Sequence, residues 1–258
     1  MSWLLIAPAV IASRFAGPWH GAQATPLLPQ YLAATSATLD PQARQALSRV
    51  DGTDRQLLAL RSYLRAGAAL RSRWSWTALE IARYGHSAER RRLLADIARV
   101  RTHFERRNSG YTLVVNSEVR SLDEQIERWN HNESVQRASR ELAAAMDEEL
   151  RRDSAYRAPS PESTRRFADL LRRTSTRSVP ALAAPGLSRH GRMRAVDFAV
   201  RKGNEIVAGA ATGTAARQWL AQGWSQRLHA AVVESRAPLT GPLREPNEPW
   251  HYDYEPAE

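Results

Sequence analysis

Two histidines and one aspartate in the C-terminal third of the chain have side chains that could bind one metal ion together. His190 and Asp197 lie in LSRHGRMRAVDF, where a glycine-containing turn leads into a strand. His251 follows in NEPWHYDY, near the end of the sequence. Two imidazoles and a carboxylate suit a catalytic zinc ion, which uses three protein ligands and keeps a fourth position for water. The residue types therefore predict Zn²⁺ bound by His190, Asp197 and His251.

Glu248 lies three residues before His251, close enough to reach the ion's surroundings without binding the ion. A carboxylate in that place can take a proton from the water that zinc activates. We therefore expect Glu248 to be the general base of a hydrolysis reaction. Neither stretch is specific by itself, because a His and an Asp at this spacing are common, and EPWH can be a loop proline followed by a core tryptophan.

Taken together, the two stretches resemble the zinc D,D-peptidases of the VanY type, in the group that includes lysostaphin-like enzymes and Hedgehog domains. The residues that match the family motifs S-x-H-x-x-G-x-A-x-D and E-P-W-H are Ser188, His190, Ala195, Asp197, Glu248, Pro249, Trp250 and His251. Met193 stands where the family has glycine. The resemblance implies a D-Ala-D-Ala carboxypeptidase or related endopeptidase, with Ser188 binding the substrate carboxylate, although a serine before a turn is equally often a local cap.

A third match lies upstream, in VVNSEVRSLDEQ. The family has a strand ending in S-G-Y-R-S and then a helix with a glutamine, matched here by Ser117, Arg120, Ser121 and Gln125. Glu118 and Val119 replace the family's Gly-Tyr pair. The resemblance implies that Arg120 stabilises the oxyanion at the scissile carbonyl and that Gln125 is a substrate-binding residue.

The region before these motifs is predicted to be helical. Between residues 41 and 107, apolar residues recur at three- and four-residue spacings with arginines between them. We see no catalytic pattern in this region. Trp74 and Trp76 are interpreted as packing residues rather than as an aromatic binding surface, and His86 and His103 as structural histidines.

Strands appear in the pattern after residue 107. GYTLVV (110–115) predicts a strand, SLDE (121–124) a capping box, and SPES (160–163) another helix start. MRAVDFAV and EIVAGA predict a hairpin around Gly203-Asn204, and residues 214–235 a helix, with a strand as the alternative at its end. A last strand follows. The mixture predicts an α+β fold, with a small antiparallel sheet flanked by helices and an added helical N-terminal region.

The sequence suggests three parts: an export signal or apolar segment at 1–24, a helical region at 25–107, and a D,D-peptidase-like catalytic domain at 108–258. An apolar run and the Ala22-Gln23-Ala24 pattern favour export, although no Lys or Arg precedes the run. We therefore expect the periplasm or cell envelope, with the cytoplasm as the alternative. The run is too short for a helix that spans a membrane, so no such span is expected.

The composition limits the partners. The net charge of +10 comes almost wholly from arginine, since Lys202 is the one lysine, and no nucleic-acid-binding motif accompanies it, so no specific nucleic acid is expected. The absence of cysteine excludes thiolate catalysis and Cys-bound metals. Peptidoglycan peptides or small D-amino-acid peptides are the expected substrates. Two alternatives stay open: a catalytically degenerate cell-wall-binding or interaction protein, and a nucleic-acid-binding protein driven by charge.

Overall fold

The computed structural model describes residues 26–210, 214–245 and 247–256. The helices are α1 Leu27–Ser36, α2 Pro41–Ser48, α3 Thr53–Ala66, α4 Ala78–Gly85, α5 Ala88–Arg107, α6 Leu122–His131, α7 Glu133–Arg152, α8 Pro161–Arg173, α9 Ala215–Ala221 and α10 Trp224–Ser235. The strands are β1 Tyr111–Asn116, β2 Ala195–Lys202, β3 Glu205–Ala208, β4 Leu239–Thr240 and β5 His251–Tyr254. The apolar segment 1–24, with its predicted export signal, lies outside the described residues.

The strands form one small antiparallel sheet in the order β1-β2-β5-β4, and β3 also pairs with β2. Strand β2 is therefore central, and it receives β5 at its N-terminal half and β3 at its C-terminal end. Helices flank the sheet, which confirms the predicted α+β fold. Among the described helices, none combines the length and the apolar character needed to cross a bilayer.

Side chains along β2 alternate between a face that packs into the hydrophobic core and a face that carries Asp197. Val196, Phe198 and Val200 are fully buried and belong to the same hydrophobic cluster as residues of α5 and α10. Successive side chains of a strand point to opposite faces, so Asp197 and Ala199 lie on the other face, where they are half-buried. Burial of the apolar residues thus fixes the direction in which the Asp197 carboxylate points.

A second hydrophobic cluster joins α1, α2 and α3 with α7 and α8. Its fully buried members include Tyr31, Leu57, Leu142 and Phe167. By contrast, α5 packs on α10 and β1. The two clusters therefore do not follow the predicted domain boundary near residue 107. Helices from both sides of that boundary share one core, and α5 packs with the sheet.

Local sequence signals account for several element ends. Ser121 Oγ accepts a hydrogen bond of 3.2 Å from the backbone N–H of Glu124 at the start of α6, which is one of the two bonds of the predicted capping box. The Glu124 carboxylate pairs with Arg128 over 2.7 Å. Pro161 opens α8, as expected. Residues 214–235 form α9 and α10, with Gly223 between them at a φ of 69°. The next strand, β4, begins only at Leu239. The alternative of a strand at the end of this segment is therefore wrong, because α10 continues to Ser235.

Candidate metal centre

The structure brings His190, Asp197 and His251 together. His190 Nε2 lies 3.3 Å from His251 Nδ1, His251 Nδ1 lies 3.0 Å from Asp197 Oδ1, and His190 Nε2 lies 3.5 Å from Asp197 Oδ2. Around a tetrahedral zinc ion with bonds of about 2.1 Å, neighbouring ligand atoms are roughly 3.3 to 3.4 Å apart. The His190–His251 and His251–Asp197 separations are close to that value, and the His190 contact is to the other oxygen of the Asp197 carboxylate. One ligand atom from each of the three residues lies within 4.8 Å of the others, so the three side chains could hold one metal ion.

Sheet register explains how the ligands meet. Asp197 of β2 and His251 of β5 are direct partners in the antiparallel ladder, and partners of this kind present their side chains on the same face, with Cβ atoms about 5 Å apart. His190 comes from the 3-10 turn Arg189–Arg192, which leads into β2. The turn therefore places His190 close to β2, the strand that contains Asp197.

A further carboxylate orients His251. Asp253 lies two residues later in β5, on the same face of the strand, and its Oδ1 is 3.4 Å from His251 Nε2. Arg189 Nε lies 2.8 Å from the same carboxylate oxygen. A carboxylate that accepts a hydrogen bond from Nε2–H leaves Nδ1 directed at the site. The sequence interpretation missed Asp253 and Arg189, although the H-x-D spacing in a strand is a signal for Asp253.

The two imidazoles have opposite pKa shifts. Burial lowers the pKa of His190 to about 3, so this ring is neutral, as a metal ligand must be. Burial also acts to lower the pKa of His251, but hydrogen bonds to Asp197 and Asp253 outweigh it and raise the pKa to about 9. In the metal-free protein at neutral pH, His251 therefore carries the proton that Asp197 accepts as a hydrogen bond.

We expect zinc binding to release about one proton at pH 7.5, because His251 must lose its proton before Nδ1 can bind the metal. With a pKa of about 9 for His251, the zinc affinity should rise about tenfold per pH unit across neutrality and level off above pH 9. Calorimetry in two buffers with different ionisation enthalpies measures the released proton. Asp253→Asn should reduce the release, since it removes a group that raises this pKa. Release of no proton by the wild type would contradict the assignment.

Arg120 and Glu248 lie beside the three ligands. Arg120 Nη2 is 3.4 Å from Asp197 Oδ2, and the Arg120 backbone N–H donates to the carbonyl of His190 over 3.2 Å. Glu248 Oε2 is 3.6 Å from His251 Nδ1. Burial, with a smaller contribution from Asp197, raises the pKa of Glu248, which makes it a stronger base than an exposed glutamate.

The structure separates the two predicted substrate-binding residues. Ser188 lines the cavity at the metal centre, whereas Gln125 is absent from the described lining residues. Gln125 is buried; its Nε2 donates to Arg120 O over 2.8 Å and to Ser75 Oγ over 2.9 Å, and its Oε1 accepts from Gly186 N–H over 3.0 Å. Gln125 thus holds the backbone behind Arg120, and its contact with substrate stays a prediction.

The metal centre opens into a cavity of about 370 Å³, a volume within the range of small-molecule sites. Arg120, Ser188, Glu248 and the three proposed ligands all line it. The apolar segment 180–183 also lines it. A separate cavity of about 290 Å³ lies between α2 and α3, beside Tyr63 and Trp74, and no histidine is found among its described lining residues.

Residues that depart from the family motifs lie outside the cavity. Glu118 is exposed and pairs with Arg90 over 3.1 Å, and Val119 packs against the hydrophobic cluster of the sheet. Neither is among the described residues that line the cavity. The presence of Glu118 and Val119 in place of the family's Gly-Tyr pair therefore leaves the charged groups of the site unchanged.

Met193, which stands where the VanY-type motif has glycine, has a left-handed backbone conformation. Its φ of 48° and ψ of 36° are left-handed, which costs a residue with a side chain about 1–2 kcal/mol. The side chain is 1% exposed, within the cluster of the sheet, and burial of a methionine contributes about 1.5–3 kcal/mol. Burial therefore offsets the backbone cost, so the turn that carries His190 forms without glycine.

We expect Met193→Ala to destabilise the protein more than Met193→Gly, by about 1 kcal/mol. Both variants lose the buried side chain, but only glycine relieves the left-handed backbone. Urea unfolding measures the difference. Met146, fully buried in α7, is the matched control, since glycine should be about 1 kcal/mol worse than alanine in a helix. The same order of stability at both positions would show that the backbone of Met193 carries no strain.

Among the described residues, the other four histidines and the two tryptophans Trp74 and Trp76 do not line the cavity of the metal centre. His86, His131 and His229 are exposed, and His103 Nδ1 contacts Glu234 over 3.4 Å. Trp74 packs on Tyr63 and Trp76 on Tyr84. The contacts of Trp74 and Trp76 agree with their interpretation as packing residues.

Fold and site together define an α+β protein with a candidate metal centre of two histidines and one aspartate. Comparison of the chain with protein-family models, with curated proteins and with solved structures gave no match. The features of this chain that point to a function are therefore the geometry of the metal centre and the sequence motifs that form it.

Proposed function

We propose that this protein is a zinc-dependent peptidase that hydrolyses peptidoglycan-type peptides, as a D-Ala-D-Ala carboxypeptidase or a related endopeptidase. The observation that carries the proposal is the convergence of His190, Asp197 and His251, with Arg120 and Glu248 beside them in one cavity. These five residues come from separate stretches of the chain. They are also among the residues on which the resemblance to VanY-type peptidases depends.

Each residue has a part in the proposed hydrolysis. A zinc ion held by the three ligands would supply Lewis acidity toward the scissile carbonyl and the attacking water. Glu248 takes a proton from that water as its oxygen bonds to the carbonyl carbon. The guanidinium of Arg120 donates hydrogen bonds to the carbonyl oxygen as negative charge develops there. Glu248 then passes the proton to the departing amine as the C–N bond breaks.

The cavity supports a short peptide as substrate. Its volume of about 370 Å³ is at the small end of ligand sites. The wall formed by Pro180, Ala181, Leu182 and Ala183 offers apolar contacts to small side chains such as that of alanine. Ser188 adds a hydroxyl group to the lining of the same cavity.

The test combines metal analysis with product analysis. Protein loaded with one equivalent of zinc should release D-alanine from muropeptides that end in D-Ala-D-Ala, as detected by mass spectrometry, and a chelator should abolish the release. A peptide ending in L-Ala-L-Ala is the stereochemical control. Zinc and peptide binding without any product would favour the non-catalytic cell-wall-binding alternative. Protein that binds no zinc would end the proposal.

A further inference from the structure

The cavity at the metal centre is lined by more cationic than anionic side chains. The lining arginines are Arg73, Arg120, Arg128 and Arg189, and the lining acids are Asp197, Glu248 and Asp253. A divalent ion in the site would make the cavity strongly positive. A field of this sign, focused by the walls of a cleft, attracts negatively charged ligands.

Three of these arginines already have carboxylate partners. Arg120 pairs with Asp197 over 3.4 Å, and Arg189 pairs with Asp253 over 2.8 Å. Arg128 pairs with its helix neighbour Glu124 over 2.7 Å.

Arg73 differs from them. In the parts of the chain that the structure describes, no carboxylate lies within ion-pair distance of its guanidinium. Its charge is therefore available to a ligand in the cavity.

The residues that follow Arg73 fix its backbone at the turn that carries His190. Ser75 N–H donates to the carbonyl of Gly186 over 2.8 Å, and Trp76 N–H donates to the carbonyl of Gly191 over 2.9 Å. The first bond is made just before the turn Arg189–Arg192 and the second within it. The ring of Trp74 packs so closely on Gly186 that a Cβ there would be 2.5 Å from it. Arg73 is thus attached to a buried and well-bonded segment.

The apolar residues that line the same cavity narrow the choice of ligand further. Pro180, Ala181, Leu182, Ala183 and Leu187 provide apolar surface and no charge. A ligand that uses both features combines small apolar side chains with a negatively charged group. A short peptide with a free C-terminal carboxylate has this combination.

We propose that Arg73 binds the C-terminal carboxylate of the peptide and so makes the enzyme a carboxypeptidase rather than an endopeptidase. This inference rests on the proposed peptidase function and adds a specificity-determining residue from the helical N-terminal region, outside the three motifs. The ion pair forms between the Arg73 guanidinium and the substrate carboxylate. A peptide that has further residues after the first one on the C-terminal side of the scissile bond has no free carboxylate at this position. It cannot make this ion pair, and neither can a peptide that ends in an amide.

The experiment compares one peptide in two forms, an N-acetylated tripeptide ending in D-Ala-D-Ala as the free acid and as the C-terminal amide. Wild-type protein with zinc should hydrolyse the acid with the lower KM. Arg73→Gln should raise KM for the acid about 10- to 100-fold, the effect of losing one charge-assisted contact, with kcat little changed. KM for the amide should change less than about twofold. Arg73→Lys should recover part of the loss, because it restores the charge.

Arg71→Gln is the matched control. Arg71 lies two residues earlier and is exposed, as Arg73 is, but it lines the separate cavity near α2 and α3. This variant should leave KM for both peptides unchanged. Zinc content and melting temperature equal to those of the wild type show that each variant is folded. If Arg73→Gln is unstable, KM for the acid and KM for the amide are compared in Arg73→Lys instead.

The outcomes separate this inference from the proposed function. Wild-type turnover of both peptides, with no selective rise of KM for the acid in Arg73→Gln, overturns the role of Arg73 and leaves the peptidase intact. An equal rise of KM for acid and amide also overturns it, because a carboxylate contact cannot act on an amide. A wild-type protein that binds zinc but hydrolyses neither peptide overturns the proposed function, and the role of Arg73 with it.

Discussion

His190→Ala is expected to abolish stoichiometric zinc in the purified protein and to reduce peptide hydrolysis to background. The variant removes one of the three side chains whose ligand atoms lie within 4.8 Å of one another. Loss of a residue that only supports a ligand already weakens metal binding about 10- to 100-fold. Loss of a ligand itself should therefore weaken the zinc affinity by more than about 100-fold. Metal analysis by mass spectrometry and competition with a chelator measure both effects.

His229→Ala is the control for this variant. His229 is exposed on α10, so its removal takes away an imidazole without touching the cavity. We expect normal zinc content and normal turnover. If His190→Ala kept a full equivalent of zinc, the assignment of the metal centre would be wrong.

Glu248→Gln is expected to retain zinc and to lower kcat about 10²- to 10⁴-fold, the range for loss of a general base. Glutamine has nearly the same shape as glutamate but cannot take a proton from the attacking water. The carboxylate lies 3.6 Å from His251 Nδ1 without belonging to the set of three ligands, so the metal-binding atoms remain. Steady-state kinetics on a D-Ala-D-Ala peptide, together with zinc analysis, separate the two properties.

Glu245→Gln provides the comparison, since Glu245 is exposed on the same loop. This variant should match the wild type in both kcat and zinc content. Near-normal kcat in Glu248→Gln would remove Glu248 from the role of base, and loss of zinc from it would make Glu248 a ligand instead.

Both predictions start from residues that the sequence identified, because metal binding and proton transfer require particular side-chain types. Imidazole and carboxylate donors can be recognised in LSRHGRMRAVDF and EPWH from the residue types alone. The predicted helix start at Ser121 and the hairpin between β2 and β3 were also confirmed. Caps and tight turns depend on neighbouring residues, so a short stretch of sequence contains the required information.

Other features became visible only in three dimensions. Asp253 supports His251, and Gln125 holds the backbone of Arg120, through contacts that no motif specified. Arg73 lies in a region where the sequence showed no catalytic pattern, yet it lines the cavity of the metal centre. In each case the partner is distant in sequence or was not part of a recognised motif.

The sequence by itself determined the donor types, the local helices and strands, and the α+β class, because each depends on side-chain chemistry or on periodicity over a few residues. Only the tertiary structure decided that Asp197 faces His251, that helices before and after residue 107 share one core, and that Arg73 reaches the site. Strand register and helix packing are set by burial of apolar surface across the whole chain. Local sequence patterns do not contain that information.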